Sequence, residues 1–188
     1  MLWVSDITYL STCAGFCYLS LITDAYSHPI VGYHVHHNLT TFGPATALRM
    51  ALNTLDPENI QELYHHSDRG SQYGSDAHIE LLRGHTEIKI SMTENGDPYE
   101  NAIAERINGI LKHEFRLDQL FQTMSEMKAH VVKSISSYNE VIPHASCDFL
   151  TPNQAHKGSG ILAIRWKNNY MKKSIDEIEF QELTGKKL

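Results

Sequence analysis

The chain has 188 residues, of which 41% are hydrophobic and 20% are charged, and its formal net charge at pH 7 is −6. This length and composition are typical of one well-packed globular domain and do not fit a repetitive or disordered protein. No apolar stretch is long enough to span a membrane and no secretory signal opens the chain, so we expect a cytoplasmic protein without membrane association.

The first part of the chain predicts an antiparallel meander. Aromatic and branched residues fill three segments that are separated by short turns, at 2–9, 16–23 and 30–36. A helix over 46–55 should follow, because Thr41-Phe42-Gly43-Pro44 is a helix-start signal and Asp56-Pro57 ends the pattern.

The later elements alternate between strand and helix. They are a strand at 63–66, a helix from Ser75 to about Arg83, a strand at 87–91, and helices at 99–115, 124–139 and 153–156. We expect the turn-rich segment 93–98 to be mobile. This order predicts an α/β, RNase H-like fold with a mixed five-stranded sheet flanked by helices. A doubly wound nucleotide-binding fold would alternate from the start, and the chain lacks a glycine-rich phosphate loop.

Three acidic residues stand in distinct settings. Asp6 lies in the first strand among apolar residues, where a carboxylate is costly to bury unless it is paired or binds a cation. Asp68 follows the end of the fourth strand, and Glu105 lies on the helix at 99–115. Carboxylate oxygens suit Mg²⁺ or Mn²⁺, and two such cations can drive phosphodiester chemistry without a covalent enzyme intermediate. We predict that these three residues are catalytic and bind metal in one site.

Each acid also has an ordinary structural interpretation. Asp6 could be a strand residue satisfied by hydrogen bonds, and Asp68 could be a turn former before Arg69-Gly70. Glu105 could be a surface glutamate, with Glu100 as a rival on the same helix. The three acids together, in this order and spacing, favour the catalytic interpretation.

Other residues near the three acids are candidates for binding DNA. Asn101, Asn108 and Lys112 fall at helical spacings from Glu105, near a face that we expect to meet the sheet edge and DNA. We predict DNA contacts for Lys112, Asn101 and Arg106, with an ordinary solvated lysine as the alternative for Lys112.

Aromatic side chains and histidines carry weaker predictions. We expect four tyrosines to belong to the core rather than to base-stacking surfaces, namely Tyr9, Tyr26, Tyr33 and Tyr73. A supporting contact from His65 or His66 to the acidic site is a further hypothesis. The three cysteines are too few for a disulfide framework and are expected to be reduced.

The chain resembles the catalytic core of OrfB-type insertion-sequence transposases, which are relatives of retroviral integrases in the DDE superfamily. The matching stretches are WVSDITY at 3–9, LITDAYS at 21–27, HSDRGSQY at 66–73, NAIAE at 101–105, YN at 138–139 and TP at 151–152. The resemblance covers roughly residues 2–156 and implies the triad Asp6, Asp68 and Glu105 with Mg²⁺ or Mn²⁺. It also matches Lys112 to the family's basic residue. Between Asp68 and Glu105 lie 36 residues, one more than the family usually has.

The resemblance implies metal-dependent cleavage and strand transfer of transposon DNA ends, which is DNA integration and recombination. An RNase H-like nuclease without strand transfer and an inactive DNA-binding remnant are the alternatives. Because two DNA ends are joined, we expect a homo-oligomer in function. Residues 1–157 would form the integrase-type catalytic core, and 158–188 a C-terminal extension whose role the sequence does not indicate.

The charge distribution bears on DNA binding. Residues 1–100 carry 4 basic and 12 acidic side chains, a net of −8, and residues 101–188 carry 12 basic and 10 acidic side chains, a net of +2. Metal-binding carboxylates are consistent with the acidic part, since bound cations reverse the local charge. Because no strong basic footprint is present, we expect most sequence-specific DNA affinity to lie in an upstream region outside this chain.

Overall fold

A mixed sheet of six strands organises the part of the chain that the computed structural model describes, residues 1–56, 62–93 and 101–158. The strands are β1 Leu2–Thr12, β2 Gly15–Asp24, β3 Ile30–His36, β4 Leu63–Ser67, β5 Ile88–Met92 and β6 Leu120–Phe121. Their order is β3-β2-β1-β4-β5, and β6 also pairs with β1. β1 to β3 form the predicted antiparallel meander, and β4 and β5 extend the sheet in parallel with β1.

Five α-helices accompany the sheet in the described residues. They are α1 Phe42–Leu52, α2 Asp76–Arg83, α3 Ala102–His113, α4 Met124–Glu140 and α5 Pro152–Lys157. The predicted α/β architecture is therefore confirmed. Among the described residues, no helix has the length and apolar character needed to cross a membrane.

Two details differ from the prediction. α1 begins at Phe42, four residues earlier than expected, because Pro44 lies within the first turn, where no intrahelical N–H bond is required. β6 was not predicted, since two residues cannot display a strand periodicity; it exists because Leu120 and Phe121 pair with Ser11 and Thr12 at the end of β1.

Helices cover both faces of the sheet and form two apolar cores. The first core joins α1 and α2 to one face and contains Trp3, Ile22, Val31, Ala47, Leu48, Ala51, Leu63, Leu82 and Ile88. The second core joins α3 and α4 to the opposite face, where Leu10, Leu19, Leu21, Ile107, Leu111, Val131, Ile135 and Tyr138 are among its buried residues. Because successive side chains of a strand point to opposite faces of the sheet, the apolar residues of the strands are divided between two layers of helices.

The turn after β2 is fixed by a carboxylate that has a purely local role. Oδ1 of Asp24 accepts hydrogen bonds from the Tyr26 and Ser27 backbone N–H groups, at 3.1 and 2.8 Å, and from the Ser27 hydroxyl at 2.8 Å. Asp24 is therefore a turn former of the kind that aspartates commonly are.

Several predictions fall on residues outside the described ranges. Most of the segment 93–98, the predicted start of the helix at residue 99, and all of the C-terminal extension beyond residue 158 belong to this group. The boundary between core and extension stays a prediction.

Candidate active site

Asp6 lies on the face of β1 that is turned towards α3. Its Oδ2 accepts a hydrogen bond from Asn108 Nδ2 at 2.6 Å, and its Oδ1 accepts one from the Ile7 backbone N–H at 2.8 Å. The side chain is only partly buried. Asp6 is therefore held in one orientation by α3 and its own strand, at the border between the core and the surface.

Asp68 lies beside Asp6 because of the register of two parallel strands. β1 and β4 pair Val4 with His66; Asp6 comes two residues later on β1, and Asp68 follows directly after the end of β4 at Ser67. Because the two strands are parallel and run towards the same edge of the sheet, both carboxylates lie at that edge. Asp68 is exposed, and its Oδ1 accepts a hydrogen bond from the Gly70 N–H at 2.9 Å.

Glu105 is an exposed residue in the first turn of α3, whose start is fixed to β1. Asn101 Nδ2 donates a hydrogen bond to the Ser5 carbonyl oxygen at 3.1 Å, and the asparagine side chain is only 7% exposed. This burial does not suit the DNA contact that we predicted for Asn101. Its contact instead fits an anchor that holds α3 against the strand carrying Asp6.

The Asp6 carboxylate is affected by its burial and by the charges of two other acids. The pKa of Asp6 is raised to about 6, and burial is the largest cause. The hydrogen bonds from Ile7 and Asn108 lower the pKa, whereas the negative charges of Asp68 and Glu105 both raise it. Two carboxylates that come from separate segments of the chain therefore act on the third across a shared space.

Lys112 and Arg106 both lie on α3, and Lys112 is half-buried. Arg106 is exposed, so its predicted DNA contact remains open. The ammonium group of Lys112 lies 4.4 Å from the centre of the Tyr9 ring. Tyr9 is 60% exposed and Tyr26 is also exposed, so the expectation that these two tyrosines belong to the core is wrong. Tyr9 lies on β1 beyond the residues that pair with β4, and Tyr26 lies in the turn between β2 and β3.

Buried polar residues support the acidic edge from the other face of the sheet. The Ser5 hydroxyl lies 2.8 Å from His65 Nε2, and the His65 ring contacts the rings of Tyr73 and His78. Burial lowers the pKa of His65 to about 3 and that of His78 to about 4, so both are neutral near pH 7. The supporting role suggested for His65 thus takes the form of a contact with Ser5, the neighbour of Asp6.

Tyr73, five residues after Asp68, lies in the core, as expected. Its side chain is 3% exposed, and its hydroxyl has no hydrogen-bond partner among the described residues. Burial raises the pKa of this hydroxyl well above its usual value, and the charges of Asp6 and Asp68 raise it further. The group therefore stays protonated.

Sequence patterns did not predict the contacts of three of these supporting residues. Asn108 was placed on the right helix face by its spacing from Glu105, but its bond to Asp6 depends on how α3 crosses β1. Tyr73 belongs to the motif that contains Asp68, yet the motif alone does not indicate which way its ring turns. His78 carried no signal, because a single histidine on a short helix has no distinctive pattern.

A divalent cation fits the chemistry of the acidic edge. All three candidate ligands are carboxylates, which hard cations prefer, and the repulsion that raises the pKa of Asp6 is what a bound cation would relieve. Within residues 1–56, 62–93 and 101–158, no three histidine, cysteine, aspartate or glutamate side chains are already grouped as a metal site. The Asp68 carboxylate is held by the Gly70 N–H.

Comparison with known proteins identifies the family of the chain. The integrase core domain family matches residues 1–98, just over half of the chain, and a second integrase core domain family matches residues 86–152. The chain is 42% identical over 116 residues to a protein of Mycobacterium tuberculosis named as transposase for insertion sequence element IS986/IS6110. That match covers 60% of this chain and 41% of the relative.

Two further transposases match longer stretches. The transposase for insertion sequence element IS629 of Shigella sonnei is 36% identical over 138 residues, which are 73% of this chain and 45% of the relative. Transposase InsF for insertion sequence IS3A of Escherichia coli is 34% identical over 154 residues, which are 81% of this chain and 52% of the relative. The chain thus spans about half the length of the transposases that it matches.

Solved structures show the same fold at low sequence identity. The simian T-cell lymphotropic virus intasome in complex with PP2A regulatory subunit B56 gamma contains a chain with a TM-score of 0.68 and 18% identity, covering 89% of this chain and 58% of that one. The HTLV-2 integrase catalytic core domain, in complex with magnesium, gives a TM-score of 0.63 and 18% identity, covering 82% of this chain and 95% of that one. These matches confirm the predicted RNase H-like fold. The chain belongs to the integrase core domain family, and its sequence relatives are transposases of insertion sequences.

Proposed function

We propose that this chain is the catalytic core of a DDE transposase, a divalent-metal-dependent polynucleotidyl transferase that cleaves transposon DNA ends and joins them to target DNA. Family membership and the transposase relatives support the general activity. The assignment to particular residues is supported by two contacts of β1, the hydrogen bond between Asp6 and Asn108 of α3 and the pairing with β4, which ends one residue before Asp68. β1, the segment after β4 and α3 would each contribute one carboxylate.

Asp6, Asp68 and Glu105 would hold Mg²⁺ or Mn²⁺, and the HTLV-2 core to which the chain is similar was solved with magnesium. When bound, such cations activate an attacking oxygen and stabilise the leaving oxygen of a phosphodiester. With a pKa of about 6, Asp6 is mostly ionised near pH 7 and is ready to bind a cation without first losing a proton.

Asn108 and Asn101 position the carboxylates. The Asn108 amide donates to Asp6 Oδ2, which favours the charged form of the carboxylate. Asn101 fixes the beginning of α3 to Ser5, the residue before Asp6. A shift of α3 along β1 would therefore displace Glu105 and Asp6 relative to each other.

Lys112 and Arg106 would contact the DNA backbone. Lys112 lies seven residues after Glu105, which is about two helical turns and about 10 Å along the same side of α3. Lys112 has no ion-pair partner in the described part of the chain, so its charge is available for a phosphate. Contacts with transposon ends and target DNA would be completed by regions outside this chain and by a second copy of it.

Strand transfer tests the proposal directly. An oligonucleotide carrying the end sequence of the element that encodes this chain would be incubated with a target plasmid and Mn²⁺. We expect joined products from the wild type and none from Asp68→Asn, because the substitution removes a charged ligand while preserving the side-chain shape. Asp76→Asn, a change of the same kind at the exposed start of α2, serves as the matched control and should join DNA normally.

Two outcomes would contradict the proposal. Nicking without joining would favour the nuclease alternative. Equal activity of the wild type and Asp68→Asn, with both proteins folded by circular dichroism, would mean that the acids are wrongly assigned.

A further inference from the structure

An exposed apolar strip lies at the hairpin end of the sheet. Tyr9 and Ser11 share one face of β1, and Ser11 pairs with Phe16 on β2 and with Leu120 on β6. Tyr9, Phe16 and Leu120 are each about 60% exposed. The rings of Tyr9 and Phe16 meet edge to face, with centroids 5.6 Å apart and planes at 78°. Two large rings therefore present much of their surface to solvent at one place.

A cation accompanies this strip. The Lys112 ammonium lies 4.4 Å from the Tyr9 ring centroid, well within the range of a cation–π contact. In the part of the chain that the structure describes, the ion pairs are Lys89 with Glu62 and His113 with Asp118, so no carboxylate neutralises Lys112. The ring thus holds the ammonium in place without cancelling its charge, which favours an anionic ligand.

The strip is connected to the acidic edge through α3. Contacts between α3 and β1 occur in the same order along both elements, from Asn101 with Ser5, to Asn108 with Asp6, to Lys112 with Tyr9. Tyr9 is about 10 Å along β1 from Asp6, at about 3.3 Å per residue, and because it is three residues away its side chain leaves the opposite face of the strand. Lys112 lies seven residues after Glu105 on α3, so its ammonium links the strip with the helix that carries the third acid.

We propose that Tyr9, Phe16 and Lys112 form a binding surface for an unpaired nucleotide of the substrate DNA. The ammonium binds a phosphate, and the exposed rings stack against a base. Flat aromatic faces stack on any base that is not already stacked in a duplex, so this surface selects unpaired DNA with little sequence preference. The identity of the ligand rests on the proposed function, since the surface adjoins the proposed active site.

The test measures DNA binding in the presence of EDTA, so that it does not depend on catalysis. The probe is a duplex with a short unpaired 3′ end that contains 2-aminopurine, a base whose fluorescence falls when it stacks. We expect Tyr9→Ala to weaken binding about 5- to 150-fold and to abolish the quenching. Tyr9→Phe keeps the ring and should restore both, which a purely structural loss at this exposed position would not explain.

Lys112→Met and two controls separate the parts of the surface. Lys112→Met should reduce the slope of log affinity against log salt by about one and should weaken binding to paired and unpaired probes alike. Phe42→Ala removes another exposed aromatic ring at the start of α1, and Lys133→Met removes an exposed lysine on α4. Both controls should bind the unpaired probe as the wild type does.

Three results would overturn the inference. The first is wild-type affinity and quenching in Tyr9→Ala, and the second is an equal loss in Tyr9→Phe. The third is a change in the sedimentation mass of the free protein after Tyr9→Ala with no change in DNA affinity, which would assign the strip to contact with another protein copy. Failure of the proposed function looks different, because the wild type would then bind the probe but neither cleave nor join DNA in Mn²⁺.

Discussion

The two faces of the sheet are joined to their helices in opposite ways. On one face, α1 packs against β3 at Gly32, where an added Cβ would lie 2.9 Å from the Ala51 Cβ and closer still to the Ala47 carbonyl oxygen. On the other face, α3 meets β1 through the amide groups of Asn101 and Asn108. The first contact is close-packed and apolar, and the second adds polar groups that aim side chains to the apolar core that Ile107 and Leu111 form on the same face.

This difference separates stability from function. Close packing gains dispersion energy at every contact. At the contact of α3 with β1, by contrast, Oδ1 of Asn101 and Oδ1 of Asn108 are buried without a hydrogen-bond partner among the described residues. Each such group costs about 1–3 kcal/mol. The contact of α1 with Gly32 therefore stabilises the fold, whereas the contact around Asp6 includes unfavourable polar burial, which fits the positioning role proposed for these asparagines.

The largest effect should come from the close-packed face. Gly32→Ala places a methyl group against backbone atoms of α1 and should lower the free energy of unfolding by about 3 kcal/mol. Gly109→Ala on α3 is the matched control, because nothing lies within 4 Å of its added Cβ, and it should raise stability by about 0.5–1 kcal/mol. Urea unfolding measures both. Equal stabilities for the two variants would refute the close contact between α1 and β3.

Asn108→Ala should separate activity from stability on the polar face. Loss of the bond to Asp6 should reduce strand transfer about 10- to 100-fold, as other supporting residues of metal sites do. The pKa of Asp6 should rise further, because the lost bond favours its charged form, and the acid limb of the activity profile should move to higher pH.

Asn139→Ala provides the contrast to Asn108→Ala. Asn139 exchanges two hydrogen bonds of 2.9 Å with the backbone of Ile30, so its removal should lower the urea midpoint but leave the acid limb unchanged. If both asparagine variants moved the acid limb equally, the positioning role of Asn108 would be wrong.

His78 should make the protein less stable in acid. Its folded pKa is about 4 and its ordinary value is 6.5, so the native state binds fewer protons than the unfolded state between these values. The stability that depends on neutral His78 is present above about pH 6.5 and is lost by up to about 1.4 kcal/mol for each pH unit as the pH falls towards about 4.

The comparison with His78→Leu isolates this effect from the opposite one at Asp6, whose raised pKa favours folding as the pH falls through about 6. Unfolding in urea at several pH values should show that the wild type loses stability relative to His78→Leu on acidification. A constant difference between the two proteins would show that His78 does not titrate differently in the folded state.

The smallest expected effect is on stability, in variants that remove the hydroxyl group of one of two buried tyrosines. Tyr73→Phe removes a hydroxyl without a partner and should raise the free energy of unfolding of the metal-free protein by about 1 kcal/mol. Tyr138→Phe removes a hydroxyl that donates to the His28 carbonyl oxygen at 3.1 Å and should lower it by about 1 kcal/mol. Thermal unfolding compares the pair, and shifts of the same sign would contradict the account of Tyr73.

Local sequence patterns were sufficient to predict strands with alternating side chains and helices with a regular apolar repeat. The bounds of β3, for example, match the prediction. The short strand β6 was not predicted, because its pairing with Ser11 and Thr12 depends on the path of the whole chain. Asp6 and Asp68 were recognisable from their motifs. The exposure of Tyr9 was not, since it depends on where β4 and the helices end relative to β1, which is a property of the assembled fold.

Anomalous diffraction from crystals soaked in Mn²⁺ tests the central claim most directly, because it locates the cation without reference to activity. We predict a manganese peak about 2.1 Å from carboxylate oxygens of Asp6 and Asp68 in the wild type, with Glu105 turned towards it, and no peak there in Asp68→Asn. A peak bound elsewhere, or one that persists unchanged in Asp68→Asn, would contradict the assignment of the three acids to one cation-binding site.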